Sequence, residues 1–179
     1  KMYWTDSSSI NGEAIRRANL DGTDVKDLIT TGLVEPRGIT LDVASDKMYW
    51  VDAGLQTVQR ANLDGSEVEV LISNKAVASD GIAVNVAAGK MYWTDAETKA
   101  IRRANFDGTD VEDLVDTGLT APRGIALDVS ADKMYWAEEA GDRIRRADLD
   151  GTDQEDVVIG LANPYGIALH ISAGKMYWT

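Results

Sequence analysis

Short apolar segments alternate with polar turn residues along the whole chain, at intervals of about ten positions. Within one stretch, residues 90–132, the apolar segments fall at residues 91–94, 101–106, 111–115 and 125–127. Asp107 and Gly108 predict a two-residue hairpin turn, because both residue types accept positive φ. The triplet Pro122-Arg123-Gly124 predicts a break before the fourth segment. No segment keeps a helical period, so the pattern predicts an all-β fold of short antiparallel strands.

The phrase Lys-Met-Tyr-Trp occurs five times, beginning at residues 1, 47, 90, 133 and 175. Successive copies start 46, 43, 43 and 42 residues apart. Four short strands in each unit of ~40–50 residues are typical of a β-propeller blade. We therefore interpret residues 1–179 as a single repeat array, with units 1–46, 47–89, 90–132 and 133–174 and a partial unit 175–179.

Three linked motifs recur in a fixed order within the units. A Tyr-Trp-Thr-Asp phrase is followed by a segment such as Arg-Ala-Asn-Leu-Asp-Gly at residues 17–22, and then by Pro-Arg-Gly-Ile-Ala-Leu-Asp at residues 122–128. This combination resembles the LDL receptor class B, or YWTD, repeat. The resemblance implies a six-bladed propeller of extracellular or cell-surface receptors and matrix proteins, which binds other proteins and is not an enzyme. It also implies that the Gly-Ile-Ala-Leu segment is the innermost strand of a blade and the YWTD phrase the second strand.

Four repeats and the start of a fifth are fewer than six blades, which would need roughly 260 residues. The first unit begins on the second strand type, and the last unit holds only the inner two strands. We therefore expect a partial propeller, either part of a longer array or a ring completed by several chains. Open blades also expose strand edges, which favour self-association.

Composition narrows the classes of partner. The net charge is −12, from 18 Lys plus Arg against 30 Asp plus Glu, and this argues against nucleic acid, whose phosphates require a basic surface. Cysteine is absent, which excludes disulfides, thiolate metal sites and a cysteine nucleophile. No apolar run approaches the ~18 residues of a membrane span. The predicted partner is a protein ligand, and no cofactor is predicted.

Residues repeated in every unit are expected to build the frame. Counting through a five-residue link places Asp95 near Ile101 and Trp93 near Arg103, so that a guanidinium stacks on an indole and pairs with a carboxylate. Glu138 replaces the aspartate in the fourth unit. The predicted frame residues are Trp4, Asp6, Arg17, Trp50, Asp52, Arg60, Trp93, Asp95, Arg103, Trp136 and Arg146.

Two acidic patterns invite a metal hypothesis. The turns carry repeated carboxylates, such as Asp107, Asp110 and Asp113, but their spacing does not match a calcium loop and a solvated acidic face is the favoured interpretation. The end of each inner strand carries a second set, which would converge on a channel metal in a propeller hydrolase. Its members are Asp42, Asn85, Asp128 and His170. This metal-dependent hydrolase is the alternative function, and a structural self-assembly module is a third.

Residues that differ between units are free to bind a partner. Links after the YWTD phrase and links between blades share one face, and there the residue before the inner-strand glycine changes from unit to unit. A ring of unlike groups with Arg and Tyr has the chemistry of a protein-binding surface. The predicted partner-binding residues, with the link 7–14 at their rim, are Glu35, Arg37, Lys75, Asp80, Arg123, Asn163 and Tyr165.

Overall fold

The structure is a computed structural model that describes residues 1–7, 12–76 and 78–179. Within these ranges, the strands form five antiparallel sheets, in which hydrogen-bonded neighbours follow one another along the chain. We call the sheets blades one to five. Blade one has three strands, blades two, three and four have four each, and blade five has two.

The strands of each blade are short and begin or end at turn residues. Blade one contains β1 (Met2–Asp6), β2 (Ala14–Ala18) and β3 (Lys26–Ile29). Blade two contains β4 (Pro36–Asp42), β5 (Lys47–Asp52), β6 (Thr57–Asn62) and β7 (Glu69–Ser73). Blade three contains β8 (Ile82–Asn85), β9 (Lys90–Asp95), β10 (Ala100–Asn105) and β11 (Glu112–Val115). Blade four contains β12 (Pro122–Asp128), β13 (Lys133–Glu138), β14 (Arg143–Asp148) and β15 (Glu155–Ile159), and blade five contains β16 (Ile167–His170) and β17 (Lys175–Trp178).

The first strands of successive blades pack against one another. β4 contacts β8, β8 contacts β12, and β12 contacts β16, so these four strands form the innermost layer. Blade one begins with the second strand type, and blade five ends with it. The predicted all-β, partial propeller is therefore confirmed. The described chain also contains three-residue 3₁₀ helices, and none of its helices is long and apolar enough to cross a membrane.

The hydrophobic core lies between blades and recurs at each junction. Ile15 and Ile29 of blade one pack with Met48 and Trp50 of blade two. The same arrangement brings blade two against blade three and blade three against blade four. Trp50, Trp93 and Trp136 are fully buried. Because removal of a buried Trp side chain costs about 3–5 kcal/mol, these repeated indoles hold neighbouring blades together.

The predicted two-residue hairpin turn is wrong. The Asn105 N–H donates to the Thr109 carbonyl (2.9 Å), and the Gly108 N–H donates to the Asn105 carbonyl (3.0 Å). These bonds close a three-residue loop, in which Gly108 has φ 83° and Asp107 is not in the left-handed region. Such a loop needs glycine at its last position, because that residue alone must adopt the left-handed conformation.

The strand bounds also differ from the prediction. Phe106 lies in the turn and not in β10. The expected break at Pro122-Arg123-Gly124 is wrong, because the triplet lies inside β12. There the register against β13 shifts between Pro122 and Ile125, so a bulge accommodates the residues that disrupt the ladder.

The predicted register of the second and third strands is wrong by one residue. Trp93 faces Arg102, and Tyr92 faces Arg103, because the link between β9 and β10 has four residues (96–99) and not five. Arg102 therefore pairs with the motif carboxylate, and its Nη1 donates to Asp95 at 2.7 Å. Arg103 stacks on the Tyr92 ring, 5.9 Å from its centroid, and not on an indole.

The outer arginine of one blade binds the turn of the next blade. Arg17, Arg60 and Arg103 donate through Nη1 to the carbonyls of Leu63 (3.3 Å), Phe106 (3.0 Å) and Leu149 (2.8 Å), respectively. The hydroxyls of Tyr3 and Tyr92 donate to the first and last of these carbonyls. The repeated Tyr–Arg pair thus binds one blade to the hairpin turn of the following blade.

Candidate partner-binding surface at the channel mouth

Close contacts between inner strands bring the variable residues together. A Cβ added at Gly38 would lie 2.6 Å from the Asp80 carbonyl oxygen, and one added at Gly81 would lie 2.7 Å from that of Arg123. At Gly124 it would lie 2.8 Å from the Tyr165 carbonyl oxygen. Only glycine permits this approach. Each inner-strand glycine therefore lies beside the variable residue that precedes the glycine of the next blade.

Asp80 occupies the centre of the resulting cluster. Arg37 Nη1 donates to one oxygen of its carboxylate, and Arg123 Nη1 donates to the other at 2.5 Å. The Tyr165 hydroxyl also donates to Asp80, at 2.5 Å. The Asp80 side chain is 2% exposed, while those of Arg37 and Arg123 are 28% and 20% exposed. A buried carboxylate with two charged donors holds both guanidinium groups in fixed positions at the mouth.

Tyr165 joins this cluster from blade five. The Arg123 guanidinium lies over its ring, 5.3 Å from the centroid. Burial and the adjacent Asp80 carboxylate raise the pKa of Tyr165 to about 12, because both disfavour the phenolate. The residue is nevertheless 43% exposed. Its ring is therefore accessible to solvent, while its hydroxyl is held by the hydrogen bond to Asp80.

Glu35 and Arg37 are supported by the frame of blade two. Glu35 accepts a hydrogen bond from Arg37 Nη2 at 2.6 Å. Burial lowers the pKa of Arg37, but the hydrogen bond to Glu35 and the charge of Asp80 outweigh it and raise the pKa above its ordinary value. The buried Asp52 carboxylate accepts from the N–H groups of Val34 and Glu35, both at 3.0 Å. The motif aspartate thus holds the loop that carries the variable residue.

The sequence interpretation missed Glu139 as a member of the cluster. Its carboxylate accepts from Arg123 Nε at 2.7 Å and lies 2.5 Å from Arg123 Nη2. Glu139 directly follows the YWTD position of the fourth unit, where the earlier units have Ser7, Ala53 and Ala96. The sequence did contain a signal for Glu139. Only the fourth unit has a carboxylate at this position, within a link that is predicted to lie on the same face.

Two predicted partner-binding residues lie outside the cluster. Lys75 is exposed, and its carbonyl accepts from Trp93 Nε1 at 2.7 Å. Asn163 is exposed, and its N–H donates to Asp142 at 3.1 Å. Residues 8–11 of the predicted rim link 7–14 lie outside the described residues. Ser7 borders a cleft of about 450 Å³ at the mouth, which Thr5, Glu35, Arg37, Asp80 and Tyr165 also line.

The proposed channel-metal residues do not form a metal-binding group, and three of them use one oxygen within their own turn. The carboxylate of Asp42 accepts from Ala44 N and Ser45 N at 3.1 Å, within its own turn. Asn85 and Asp128 accept from the N–H groups of Ala88 and Ala131 in the same way. His170 is exposed and precedes the 3₁₀ helix Ile171–Ala173. Among residues 1–7, 12–76 and 78–179, no three His, Asp or Glu side chains are placed to hold a metal ion.

The acidic turns on the opposite face also use their carboxylates locally. Asp107 accepts from the Thr109 hydroxyl (2.6 Å) and N–H (3.0 Å), and these bonds lower its pKa. Asp113 of the same unit accepts instead from Arg102 Nε at 2.5 Å. Repeated carboxylates of one unit are therefore divided among separate partners and do not form an ion site.

This combination of blades and mouth defines the class of protein: a β-propeller arc with unlike side chains at one end of its channel. The sequence matches the family Low-density lipoprotein receptor repeat class B over residues 1–43, 46–84 and 89–129. These matches cover more than half of the chain, and the chain belongs to this family.

Individual relatives resemble limited parts of the chain. Mouse nidogen-2 is 40% identical over 58 residues, which cover 32% of this chain and 4% of nidogen-2. Mouse low-density lipoprotein receptor-related protein 5 is 42% identical over 57 residues, again 32% of this chain and 4% of the relative. Protein cueball of Drosophila sechellia is 38% identical over 52 residues, 29% of this chain and 8% of the relative. The chain therefore spans a small part of the length of these curated relatives.

Solved structures match over nearly the whole chain. A chain in the crystal structure of a nidogen/laminin complex superposes with a TM-score of 0.90 and 27% identity, covering 99% of this chain and 66% of that one. A structural genomics protein of unknown function from Bacteroides thetaiotaomicron superposes with a TM-score of 0.74 and 14% identity, covering 99% of this chain and 52% of the other. The second likeness concerns the fold alone.

Proposed function

We propose that this chain is a non-enzymatic protein-binding module, used outside the cell or at the cell surface, whose partner docks on the channel mouth. The observation that carries the proposal is the single cluster formed there by the residues that precede the inner-strand glycines. It combines two arginines and an aromatic ring, which are residue types that dominate protein–protein contacts, with carboxylates that hold the arginines in place. The family relationship and the nidogen/laminin complex support a protein as the partner class.

The cluster divides into contacting and positioning residues. Tyr165 is 43% exposed, and the side chains of Arg37, Arg123 and Glu35 are 28%, 20% and 45% exposed, so a partner reaches all four. Asp80 is too deeply buried to be reached, and it holds the arginines and the tyrosine in place. A prearranged surface loses little side-chain entropy on binding, which favours affinity.

Laminin is the first protein to use as a probe, because it forms the complex with nidogen in which a chain superposes on this one. Surface plasmon resonance would compare the wild-type chain with the Arg123→Ala/Tyr165→Ala variant. The matched control is Asp107→Ala/Asp110→Ala, which also removes two polar side chains but lies in a turn on the opposite face. Truncation of two anchor residues is expected to weaken binding about 10- to 100-fold, whereas the control binds like wild type.

The two negative results have different consequences. Equal affinities of the wild type and the mouth variant for laminin would show that the mouth is not the binding surface. An absence of laminin binding by the folded wild-type chain would exclude laminin as its partner.

A further inference from the structure

The turns that follow the inner strands lie at the end of the channel opposite the mouth, and they contain no charged residue. They read Val-Ala-Ser, Val-Ala-Ala, Val-Ser-Ala and Ile-Ser-Ala, at residues 43–45, 86–88, 129–131 and 171–173. We call them the inner turns. Every residue in them is exposed. Because neighbouring inner strands contact one another, the inner turns lie side by side and form a continuous uncharged surface.

Val86 and Val129 show that this exposure belongs to the interior of the blade array. β8 lies between β4 and β12, and β12 lies between β8 and β16. Val86 is nevertheless 44% exposed and Val129 is 42% exposed, although each has a neighbouring inner strand on both sides. Exposed apolar groups that cluster within a polar surround are typical of interaction surfaces.

An acidic rim surrounds the inner turns. It consists of the hairpin turns between the third and fourth strands of blades two, three and four, at residues 63–68, 106–111 and 149–154. Each of these turns contains two carboxylates and neither Lys nor Arg. The Leu63 N–H donates to the Asp46 carbonyl at 3.1 Å, and the Phe106 N–H donates to the Gly89 carbonyl at 3.0 Å. Each rim turn therefore lies directly beside the inner turn of its own blade.

The rim carboxylates keep their negative charge. Asp64 accepts from the Ser66 hydroxyl at 2.5 Å, and Asp150 accepts from the Thr152 hydroxyl at 2.6 Å. These hydrogen bonds lower the pKa of both carboxyl groups, because they stabilise the ionised form. Since the hydroxyl donors are neutral, they keep the carboxylates ionised without cancelling their charge. Glu67 lies 3.4 Å from Lys47, but its side chain is 74% exposed.

We propose that this second face binds a protein segment in which apolar side chains are flanked by Lys or Arg. The apolar side chains of the segment cover the inner turns, and its cations lie against the carboxylates of the rim. A centre free of charge within a polar rim is the usual arrangement of a protein–protein interface. Complementary charge at the rim orients the partner and speeds association, and it disfavours anionic partners.

The second face is independent of the proposed function of the mouth. The mouth lies where the inner strands begin, and the inner turns lie where the same strands end. A partner on one face does not cover the other, so the chain can hold two different partners at once. The two faces also differ in chemistry, because the mouth contains Arg37, Arg123 and Tyr165, whereas the inner turns are uncharged and lack aromatic residues.

Two synthetic peptides of equal length serve as probes: a dye-labelled helical peptide of leucine and lysine, and its counterpart of leucine and glutamate. Fluorescence anisotropy is expected to show binding of the leucine–lysine peptide only. Val86→Ser/Val129→Ser removes apolar groups without changing charge and should weaken binding about 10-fold. Asp107→Asn/Asp110→Asn keeps the shape of the rim, removes two charges and should weaken binding about 3- to 10-fold.

The matched control is Val70→Ser/Ile159→Ser. It also removes two exposed branched apolar side chains, but these lie in the outer strands β7 and β15, so it should bind the leucine–lysine peptide like wild type. The mouth variant Arg123→Ala/Tyr165→Ala should also bind this peptide like wild type. In turn, Val86→Ser/Val129→Ser should bind laminin as the wild type does, which separates a failure at one face from a failure at the other.

The location of the peptide is checked by hydrogen exchange, which should slow in residues 86–90 and 129–133 when the leucine–lysine peptide is bound. Wild-type protein that does not bind this peptide, or binds both peptides equally well, would overturn the proposal. An affinity of Val86→Ser/Val129→Ser equal to that of wild type would overturn it as well, because binding would then rest on net charge alone.

Discussion

Replacement of Asp80 by asparagine tests whether the mouth cluster is held by a buried charge. The substitution keeps the shape of the side chain and removes the negative charge shared by Arg37, Arg123 and Tyr165. Hydrogen bonds to charged groups contribute about 1.5–3 kcal/mol each. The two arginines retain Glu35 and Glu139 as partners and are partly exposed, so we expect a total loss of about 2–4 kcal/mol.

The loss is measurable as a fall in the thermal midpoint at pH 7. For a chain of this size, 1 kcal/mol corresponds to about 2–4 °C, which predicts a decrease of about 4–16 °C for Asp80→Asn. The control Asp116→Asn makes the same change at an exposed position and should remain within about 0.5 kcal/mol of wild type. Because the Asp80 carboxylate is buried, the difference should persist at about 1 M salt. A midpoint for Asp80→Asn within about 1 °C of wild type would refute this account of the cluster.

Three further predictions concern the same frame and mouth. The pKa of Tyr165 is raised to about 12 in the folded state, so the neutral phenol contributes fully to stability below the unfolded pKa of about 10, and this contribution is lost as the pH rises through 12. The free energy of unfolding, measured against pH, should therefore fall less in Tyr165→Phe than in wild type. An identical fall would contradict the assignment. Trp93→Ala should destabilise the chain by about 3–5 kcal/mol in urea unfolding, because the indole is fully buried. Trp178→Ala changes the equivalent residue of blade five, which is 41% exposed, and should cost much less. Equal costs would contradict the role of the buried indoles in the core between blades. Gly81→Ala should lower the thermal midpoint more than Gly166→Ala. The methyl group added at Gly81 meets a backbone oxygen at 2.7 Å, whereas the one added at Gly166 meets a side-chain hydroxyl at 3.0 Å. The reverse order of the two midpoints would argue against the close approach of the inner strands.

Much of the fold follows from the repeat, because a period near 43 residues with four apolar segments admits few architectures. The strand register was not predictable by counting, since one residue of difference in the link after Asp95 moves every side-chain pair. The turn at Gly108 was misassigned for a similar reason: an Asp-Gly pair fits both a two-residue turn and a three-residue loop.

The sequence predicts which residues lie near one another at the candidate site, but not the contacts that they make. The alignment of units placed Arg37, Asp80, Arg123 and Tyr165 at equivalent positions, and the structure brings all four together. The burial of Asp80 and its three donors depends on how closely neighbouring inner strands approach, which no single unit encodes. Lys75 and Asn163 lie apart, and their backbones are bound by other groups: the Lys75 carbonyl accepts from Trp93 Nε1, and the Asn163 N–H donates to Asp142.

The position of the partner on the propeller is tested most directly by hydrogen exchange of the wild-type chain, alone and with the protein probe bound. The account predicts slower exchange on binding in residues 35–37, 78–81, 121–124 and 163–166, which surround the mouth. It predicts no change in the turns at residues 21–24, 64–67, 107–110 and 150–153 on the opposite face. Protection confined to those turns would contradict the assignment of the channel mouth as the binding surface.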